Sequence, residues 1–204
     1  MNSVSATFDG GFAATVMLDK AAGTRKDALD VMVSGADTGY LVEWHPGAGL
    51  VRLPNSEAPT NNGIQILSSN PRFIYFNAWT GKQVRKYDRQ TQRVTGFADL
   101  TFHPDNVRVR DDGKLIVIGI DELQSWEACT FAQSVSCRTG FSAVTLDPDT
   151  MATAALFTES PAFSPAGRLA FRSATRCMSD RLWVTDCSGS IFRGIASRAG
   201  RRAG

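Results

Sequence analysis

The side chains of this chain that could do chemistry together are several amides and one carboxylate. Asn2, Asn62 and Asn106 each begin an alternating apolar segment, and Asp105 directly precedes the last of them. If the three segments are neighbouring strands, their leading side chains direct oxygen atoms toward one point. Such oxygens suit a hard cation like Ca²⁺, which takes six to eight oxygen ligands at about 2.3–2.6 Å. The pattern makes Asn62, Asp105 and Asn106 candidates for a partial metal shell, with Asn2 as a further candidate. From spacing alone, the simpler interpretation of Asp105 is a turn residue that caps the loop after Pro104.

Other kinds of catalytic centre find no support in the sequence. A GxSxG motif is missing, and neither histidine is placed where a catalytic triad could be argued. His45 falls in a predicted outer hairpin, and His103 merely precedes Pro104. A nucleophilic serine or cysteine mechanism is therefore disfavoured.

The four cysteines form two local pairs, Cys129 with Cys137 and Cys177 with Cys187. Each pair could close a disulfide in an oxidising compartment, or all four could remain reduced thiols, and the sequence leaves both open. For the second pair, local spacing favours a hypothesis in which the two residues face one another across a hairpin. A zinc site is disfavoured because the histidines lie far from both pairs.

The elements that must position these residues are short strands. Hydrophobic residues alternate with period two nearly everywhere, and no segment sustains the spacing of a long amphipathic helix. Turn residues separate paired apolar runs, as at Pro46 to Gly49, Thr80 with Gly81, Asp111 to Gly113, and Pro148 to Thr150. The sequence predicts an all-β protein with little helix, in which Trp126 lies in a loop before Cys129.

A repeat organises these strands. Units beginning at Asn2, Asn62 and Asn106 each contain an Asn, an apolar strand, a polar turn and a second apolar strand, and a weaker copy begins at Ser173. Repeats of this kind favour four-stranded blades of a β-propeller over the alternative, a meandering β-sandwich. At roughly 40–50 residues per blade, the chain makes about four blades. We expect one propeller domain over residues 1–195, a disordered tail over 196–204, and further blades before Met1.

Charge and hydropathy exclude several partners. The 22 Lys and Arg residues nearly balance 20 Asp and Glu residues, so the net charge of +2 provides no broad field for nucleic acid or an anionic membrane. No segment approaches the roughly 18 continuous apolar residues of a membrane span. No targeting signal is visible, but the chain begins abruptly in a predicted strand. Both a cytoplasmic location and a secreted or periplasmic one remain open.

Three segments carry a resemblance to a known superfamily: PTNNGIQIL, RFIYFNAWTGKQVRKYDR and FHPDNVRVRDDGKLIVIG. They resemble consecutive blades of the six-bladed propellers that include regucalcin, gluconolactonase, paraoxonase (arylesterase) and strictosidine-synthase-like proteins. The resemblance covers about Gly39 to Gly119 and extends more loosely to Ile195. It implies that Asn62, Asp105 and Asn106 bind the metal and that Asn2 lies near it.

The resemblance also implies an activity, the calcium-dependent hydrolysis of a lactone or ester, in which Asp105 binds the metal and steers a proton. The first metal ligand of the superfamily, a glutamate, would precede Met1, and the histidine pair of paraoxonases has no counterpart here. Two alternatives therefore stay open. One is a noncatalytic propeller that binds a ligand or partner, and the other is a strictosidine-synthase-like protein without this metal chemistry.

Overall fold

The computed structural model describes residues 1–19, 24–131 and 139–159. The elements follow one another in the order β1 (Val4–Ala6), β2 (Phe12–Val16), α1 (Arg25–Val33), β3 (Tyr40–His45), β4 (Gly49–Arg52), β5 (Asn61–Leu67), β6 (Asn70–Ala78), β7 (Gln83–Asp88), β8 (Arg93–Asp99), β9 (His103–Val109), β10 (Leu115–Ile120), α2 (Leu123–Phe131), β11 (Phe141–Leu146) and β12 (Thr153–Glu159).

The strands form three four-stranded antiparallel sheets, each built from consecutive strands. Their orders are β1-β2-β3-β4, β5-β6-β7-β8 and β9-β10-β11-β12, which we call blades 1, 2 and 3. The first strand of each unit found in the sequence, β1, β5 or β9, is an edge strand of its sheet, and we call it the inner strand of the blade. The prediction of an all-β protein made of propeller-type blades is confirmed for the described residues. The fourth repeat unit, from Ser173, lies outside them.

Blade 2 is buried on both faces, and the strand β6 shows why. Ile74, Phe76 and Ala78 pack into a core shared with blade 1, which also contains Leu41. Tyr75, the residue between them on the opposite face, packs into a second core shared with blade 3. Side chains of a strand alternate between faces, so a strand buried on both sides needs a continuous apolar run. The sequence RFIYFNA supplies that run.

Two tyrosines join blade 2 to its neighbours by hydrogen bonds. The Tyr87 hydroxyl donates to the Pro54 carbonyl oxygen of blade 1 at 2.8 Å, and the Tyr75 hydroxyl donates to the Pro148 carbonyl oxygen of blade 3 at 2.9 Å. Burial raises the pKa of both tyrosines to about 12. The two tyrosine hydrogen bonds link neighbouring blades at positions away from the inner strands.

The short helices are insertions in equivalent connections. Helix α1 links β2 to β3 and α2 links β10 to β11, the second and third strands of their blades. Because the strands are antiparallel, both helices lie at the sheet end where the inner strand of their blade begins. Thr24 caps α1 by accepting a bond from the Asp27 backbone N–H. Both helices have nine residues, so helix is scarce, as predicted, although Trp126 lies in α2 and not in a loop.

All of this geometry belongs to the compact unit Met1–Thr158, apart from the last residue of β12. Within the described residues, no helix is both long and apolar enough to cross a membrane. The domain boundaries expected at residues 195 and 196 fall outside the described residues and stay a prediction.

Candidate functional site

The inner strands of blades 2 and 3 each carry a β-bulge near their first residues. In β5, Asn61 pairs with Ala78 and Ile64 pairs with Phe76, so Asn62 and Gly63 together oppose Asn77. A bulge inserts one extra residue and re-aims the side chains beside it. These side chains therefore do not simply follow the alternation of the strand.

The bulge in β9 has the same form. Asn106 pairs with Ile118 and Pro104 pairs with Gly119, which leaves Asp105 as the extra residue between them. Such bulges are frequent next to functional sites. Their recurrence in successive blades places two polar side chains, Asn62 and Asp105, at matching points of neighbouring strands.

The bulges correct the alignment of the repeat by one residue. The sequence units align Asn62 with Asn106. Counted from the two bulges, however, Asn62 corresponds to Asp105 and Ile64 corresponds to Val107. Ile64 and Val107 are both 0% exposed, as equivalent core positions should be. The matching pair of polar residues is therefore an amide and a carboxylate.

Gly63 allows β5 and β9 to approach closely at this point. A Cβ atom on Gly63 would stand 2.5 Å from the Asp105 carbonyl oxygen and 2.9 Å from the Asn106 Cα. Real Cβ atoms do not come so close to backbone, so only glycine fits without a shift of one strand. The contact brings the backbones of the two bulges together.

The side chains of the two bulges also meet. The Asn62 amide donates a hydrogen bond to the Asp105 carboxylate, although 43 positions separate the two residues in sequence. Asn62 is 5% exposed. Burial raises the pKa of Asp105, while the bond from Asn62 and the attraction of Arg108 oppose the rise. Asp105 is thus a carboxylate whose negative charge is poorly solvated.

Arg108 is the basic group that acts on this carboxylate. Burial lowers the pKa of its guanidinium, and attraction to Asp105 opposes that shift. The guanidinium is also engaged locally, because Nη1 donates to the Val107 carbonyl oxygen at 2.7 Å. Arg108 therefore offsets part of the Asp105 charge.

Asn106 and Asn2 occupy different surroundings. Asn106 is half-buried in β9 beside Asp105, with its Cα against Gly63. Asn2 is exposed just before β1, and its Nδ2 donates to the Met17 Sδ at 2.9 Å. The described contacts bring Asn62 and Asp105 together, with Asn106 alongside, and none of them joins the Asn2 side chain to this group.

The Thr15 hydroxyl links blade 1 to the backbone of Asn62. Thr15 Oγ1 donates to the Asn62 carbonyl oxygen at 2.6 Å, and the Ser3 backbone N–H donates to Thr15 Oγ1 at 3.1 Å. Further along the two inner strands, the Ile66 backbone N–H donates to Ser5 Oγ at 3.0 Å. The inner strands of blades 1 and 2 are therefore held side by side next to Asn62.

Two further amides beside the bulge were not predicted as site residues. Asn61 is the first residue of β5 and donates from Nδ2 to the Ser56 carbonyl oxygen at 3.1 Å. Its Oδ1, and both Oδ1 and Nδ2 of Asn77, are buried without a hydrogen-bond partner among the described residues. Asn61 and Asn77 are each 0% exposed. Nothing in the local sequence marks Asn77, because its burial follows from the packing of three blades.

An aromatic cluster borders the site at the same sheet end. The Trp79 ring lies 4.8 Å from the Trp126 ring of α2 and 5.7 Å from the His103 ring, measured between centroids. His103 Nδ1 donates to the Trp79 carbonyl oxygen at 3.1 Å, and burial lowers the pKa of the imidazole. His103 is therefore a buried, neutral residue that fastens the β6–β7 turn to β9. Sequence analysis assigned it no role.

Helix α1 closes the site from the side of blade 1. Thr60 Oγ1, just before β5, lies 3.1 Å from the Met32 carbonyl oxygen of α1 and 3.0 Å from Thr80 Oγ1. Helix α1 thus contacts Thr60 at the start of β5, while α2 packs Trp126 on Trp79 at the β6–β7 turn. Together with that turn, they border the end of blade 2 where Asn62 lies.

Of the four cysteines, only Cys129, in α2, lies within the described residues. It is disulfide-bonded. Cys137, Cys177 and Cys187 lie outside the described residues, so the predicted facing of Cys177 and Cys187 stays a prediction. The disulfide involves the helix whose Trp126 packs against Trp79.

A separate open groove of about 420 Å³ lies between blades 2 and 3, away from the bulges. Its basic residue Lys86 is already engaged, because Nζ donates to the Pro148 carbonyl oxygen at 2.8 Å and stands 4.3 Å from the Phe73 ring centroid. Asp88, at its edge, is paired with Arg72. The charged groups of the groove stabilise the fold, so the bulges are the better candidate site.

The donor atoms at the bulges fit a hard cation. Asn62, Asp105 and Asn106 offer amide and carboxylate oxygens, and the Asn77 amide, unpartnered within the described part of the chain, lies against Gly63 between them. Calcium prefers such oxygens over nitrogen or sulfur. Among the described residues, no three His, Cys, Asp or Glu side chains cluster, so a zinc-type centre has no ligand set there.

No protein-family profile and no curated protein matches this chain. The solved structures that are similar to it in part include the two that follow. A luciferin-regenerating enzyme matches with a TM-score of 0.48 and 14% identity over 77% of this chain and 45% of its own. The hydrazine synthase of Kuenenia stuttgartiensis matches with a TM-score of 0.46 and 9% identity over 75% of this chain and 34% of its own. The chain therefore spans less than half the length of either structure.

Proposed function

We propose that this chain binds calcium, or another divalent cation, through Asn62, Asp105 and Asn106 and hydrolyses a lactone or other ester there. The activity is of the gluconolactonase and arylesterase type that the sequence resembles. One observation carries the proposal: Asn62 bonds to the Asp105 carboxylate where matching bulges of two inner strands meet.

Asp105, Asn62 and Asn106 would each have a separate role in the proposed reaction. A bound cation supplies Lewis acidity toward the substrate carbonyl and toward a coordinated water. Asp105 holds the cation and accepts or steers a proton, the usual role of a carboxylate beside a reacting water. Asn62 orients the Asp105 carboxylate through its hydrogen bond, and Asn106 supplies a neutral oxygen.

The surroundings of the bulges suit a small, partly apolar substrate. Trp79 and Trp126 present aromatic surface beside the polar residues, and α1 contacts Thr60 at the start of β5. Ligand sites commonly combine apolar walls with a few convergent polar groups. A lactone or small ester has this mixture of apolar ring and polar carbonyl.

Calcium titration of the wild-type chain tests the proposal, with isothermal calorimetry after treatment with a chelator and hydrolysis of a simple γ-lactone as readouts. The Asp105→Asn variant should bind calcium roughly tenfold or more weakly, because it loses the only formal negative charge of the set while keeping its shape. Lactone hydrolysis should fall with it. Asp112→Asn, in the exposed turn of the same hairpin, is the matched control and should leave both unchanged.

A second candidate is a noncatalytic propeller that binds a polar ligand without a metal. The attraction between Arg108 and Asp105 favours it, because an arginine beside the carboxylate supplies some of the positive charge that a cation would bring. A wild-type chain that folds but shows neither calcium binding nor lactone hydrolysis would support this candidate and reject the hydrolase.

A further inference from the structure

Asn77 is the most unusual polar residue near the two bulges. It lies on β6, directly opposite Asn62 and Gly63, and is 0% exposed. Neither Oδ1 nor Nδ2 has a hydrogen-bond partner among the described residues. A buried amide without partners is costly, whereas an apolar side chain of similar shape is neutral or stabilising at such a position. A ligand that bonds to the Asn77 amide would remove this cost.

The Asn77 amide lies against the point where the two bulges touch. Nδ2 would lie 2.8 Å from a Cβ atom on Gly63, and the Asp105 carbonyl oxygen would lie 2.5 Å from the same point. Amide oxygen and nitrogen have nearly the same shape, so a half-turn of the side chain exchanges their positions. An oxygen donor is thus available beside the Asp105 bulge, on the blade that also supplies Asn62.

We propose that Asn77 is a further oxygen ligand of the cation at Asn62 and Asp105, contributed by the second strand of the blade. The inference rests on the proposed function, since it concerns the same cation. Three protein oxygens leave a calcium ion with at least three positions to fill. An amide from β6 fills one of them from behind the inner strand. A functional ligand also explains why the fold retains an amide that weakens the cation-free state.

The melting temperature and the calcium affinity of one variant, Asn77→Leu, together test this inference. In the full chain, Asn77→Leu removes both unpaired atoms while nearly keeping the volume. With chelator present, its melting temperature should stay unchanged or rise by roughly 2–4 °C. Titration with calcium chloride alone should show affinity at least about tenfold weaker than wild type. A purely structural amide would behave in the opposite way, with a lower melting temperature and unchanged calcium affinity.

Asn77→Asp provides a second, independent variant. It adds a carboxylate oxygen at the same position and should restore or strengthen calcium binding while lowering the melting temperature in chelator, because an uncompensated charge is then buried. Thr139→Val is the matched control. It removes another buried, unpartnered hydroxyl, outside the bulges, and should leave calcium affinity unchanged.

The outcomes separate the two proposals. If Asp105→Asn weakens calcium binding but Asn77→Leu and Asn77→Asp bind like wild type, Asn77 is not a ligand and only the further inference is overturned. If the wild-type chain itself binds no calcium, the proposed function fails and the inference about Asn77 fails with it.

Discussion

The Asn62 side chain donates a hydrogen bond to the Asp105 carboxylate across the boundary between blades 2 and 3. Each residue stands at a bulge of its inner strand, and Gly63 lets the two bulges touch. The contact joins two polar side chains of neighbouring blades at bulges, which are frequent next to functional sites.

Replacing Gly63 by alanine should damage both the fold and the site. The new Cβ would lie 2.5 Å from the Asp105 carbonyl oxygen and 2.9 Å from the Asn106 Cα. Overpacking of this kind costs typically about 1–3 kcal/mol, and the strands must separate to relieve it. Denaturant unfolding should show that loss, and calcium titration should show weaker binding.

Gly96→Ala is the control for this experiment. Its Cβ would meet the flexible Met151 side chain at 3.3 Å, a contact that a small movement of the methionine relieves. The free energy of unfolding and calcium affinity should both stay close to wild type. Equal losses in the two variants would contradict a special role for the approach at Gly63.

The tyrosine bonds between blades predict an alkaline transition. The neutral hydroxyl is the bonded form, and burial raises the pKa of Tyr75 and Tyr87 to about 12, above about 10 in the unfolded chain. Their contribution to stability is therefore complete below about pH 10 and is lost as pH rises toward about 12. Unfolding midpoints measured from pH 8 to 12 should fall in this window.

Phenylalanine variants isolate these bonds. Tyr87→Phe removes the side-chain donor to the Pro54 carbonyl oxygen and should cost about 1 kcal/mol at neutral pH. Tyr75→Phe should cost less, because the Pro148 carbonyl oxygen keeps its hydrogen bond from Lys86. The double variant should lose much of the alkaline transition. A double variant with the wild-type pH profile would show that other groups cause it.

The ion pair of Arg72 with Asp88 predicts the opposite pH dependence. Asp88 accepts from Arg72 and from the Gln90 backbone N–H, and these contacts hold its pKa well below its usual range. The lowered pKa means that the stabilisation is present above about pH 4 and is lost as pH falls below the unfolded value. Asp88→Asn should therefore destabilise the protein at pH 7 and matter much less near pH 2, as thermal unfolding at the two pH values would reveal.

The disulfide of Cys129 predicts a thiol count below four. Because one bond consumes two cysteines, thiol titration under denaturing, nonreducing conditions should find two free thiols, or none if the other pair is also bonded. Local spacing predicts Cys137 as the partner, which peptide mapping without reduction would identify. Four free thiols would contradict the bond.

Period-two patterns and turn residues, all local features, predicted the hairpins. The turn at Asp111 to Gly113 is an example: Gly113 adopts φ +79°, and its N–H donates to the Arg110 carbonyl oxygen at 3.0 Å. Such a conformation favours glycine wherever it occurs, so it could be predicted without knowing what packs nearby. The repeat then predicted which strand of each sheet comes first.

The sequence by itself determined the strand order of the blades and singled out Asn62 and Asp105, because alternation, turns and repeats are written in neighbouring residues. Only the tertiary structure decided that Asn62 corresponds to Asp105 and not to Asn106, because a bulge shifts register without altering the local pattern. It alone also showed that Asn77 is buried without a partner and that His103 is fastened to Trp79. Burial and pairing of this kind depend on which residues of distant segments meet when the blades pack, and no local spacing records that.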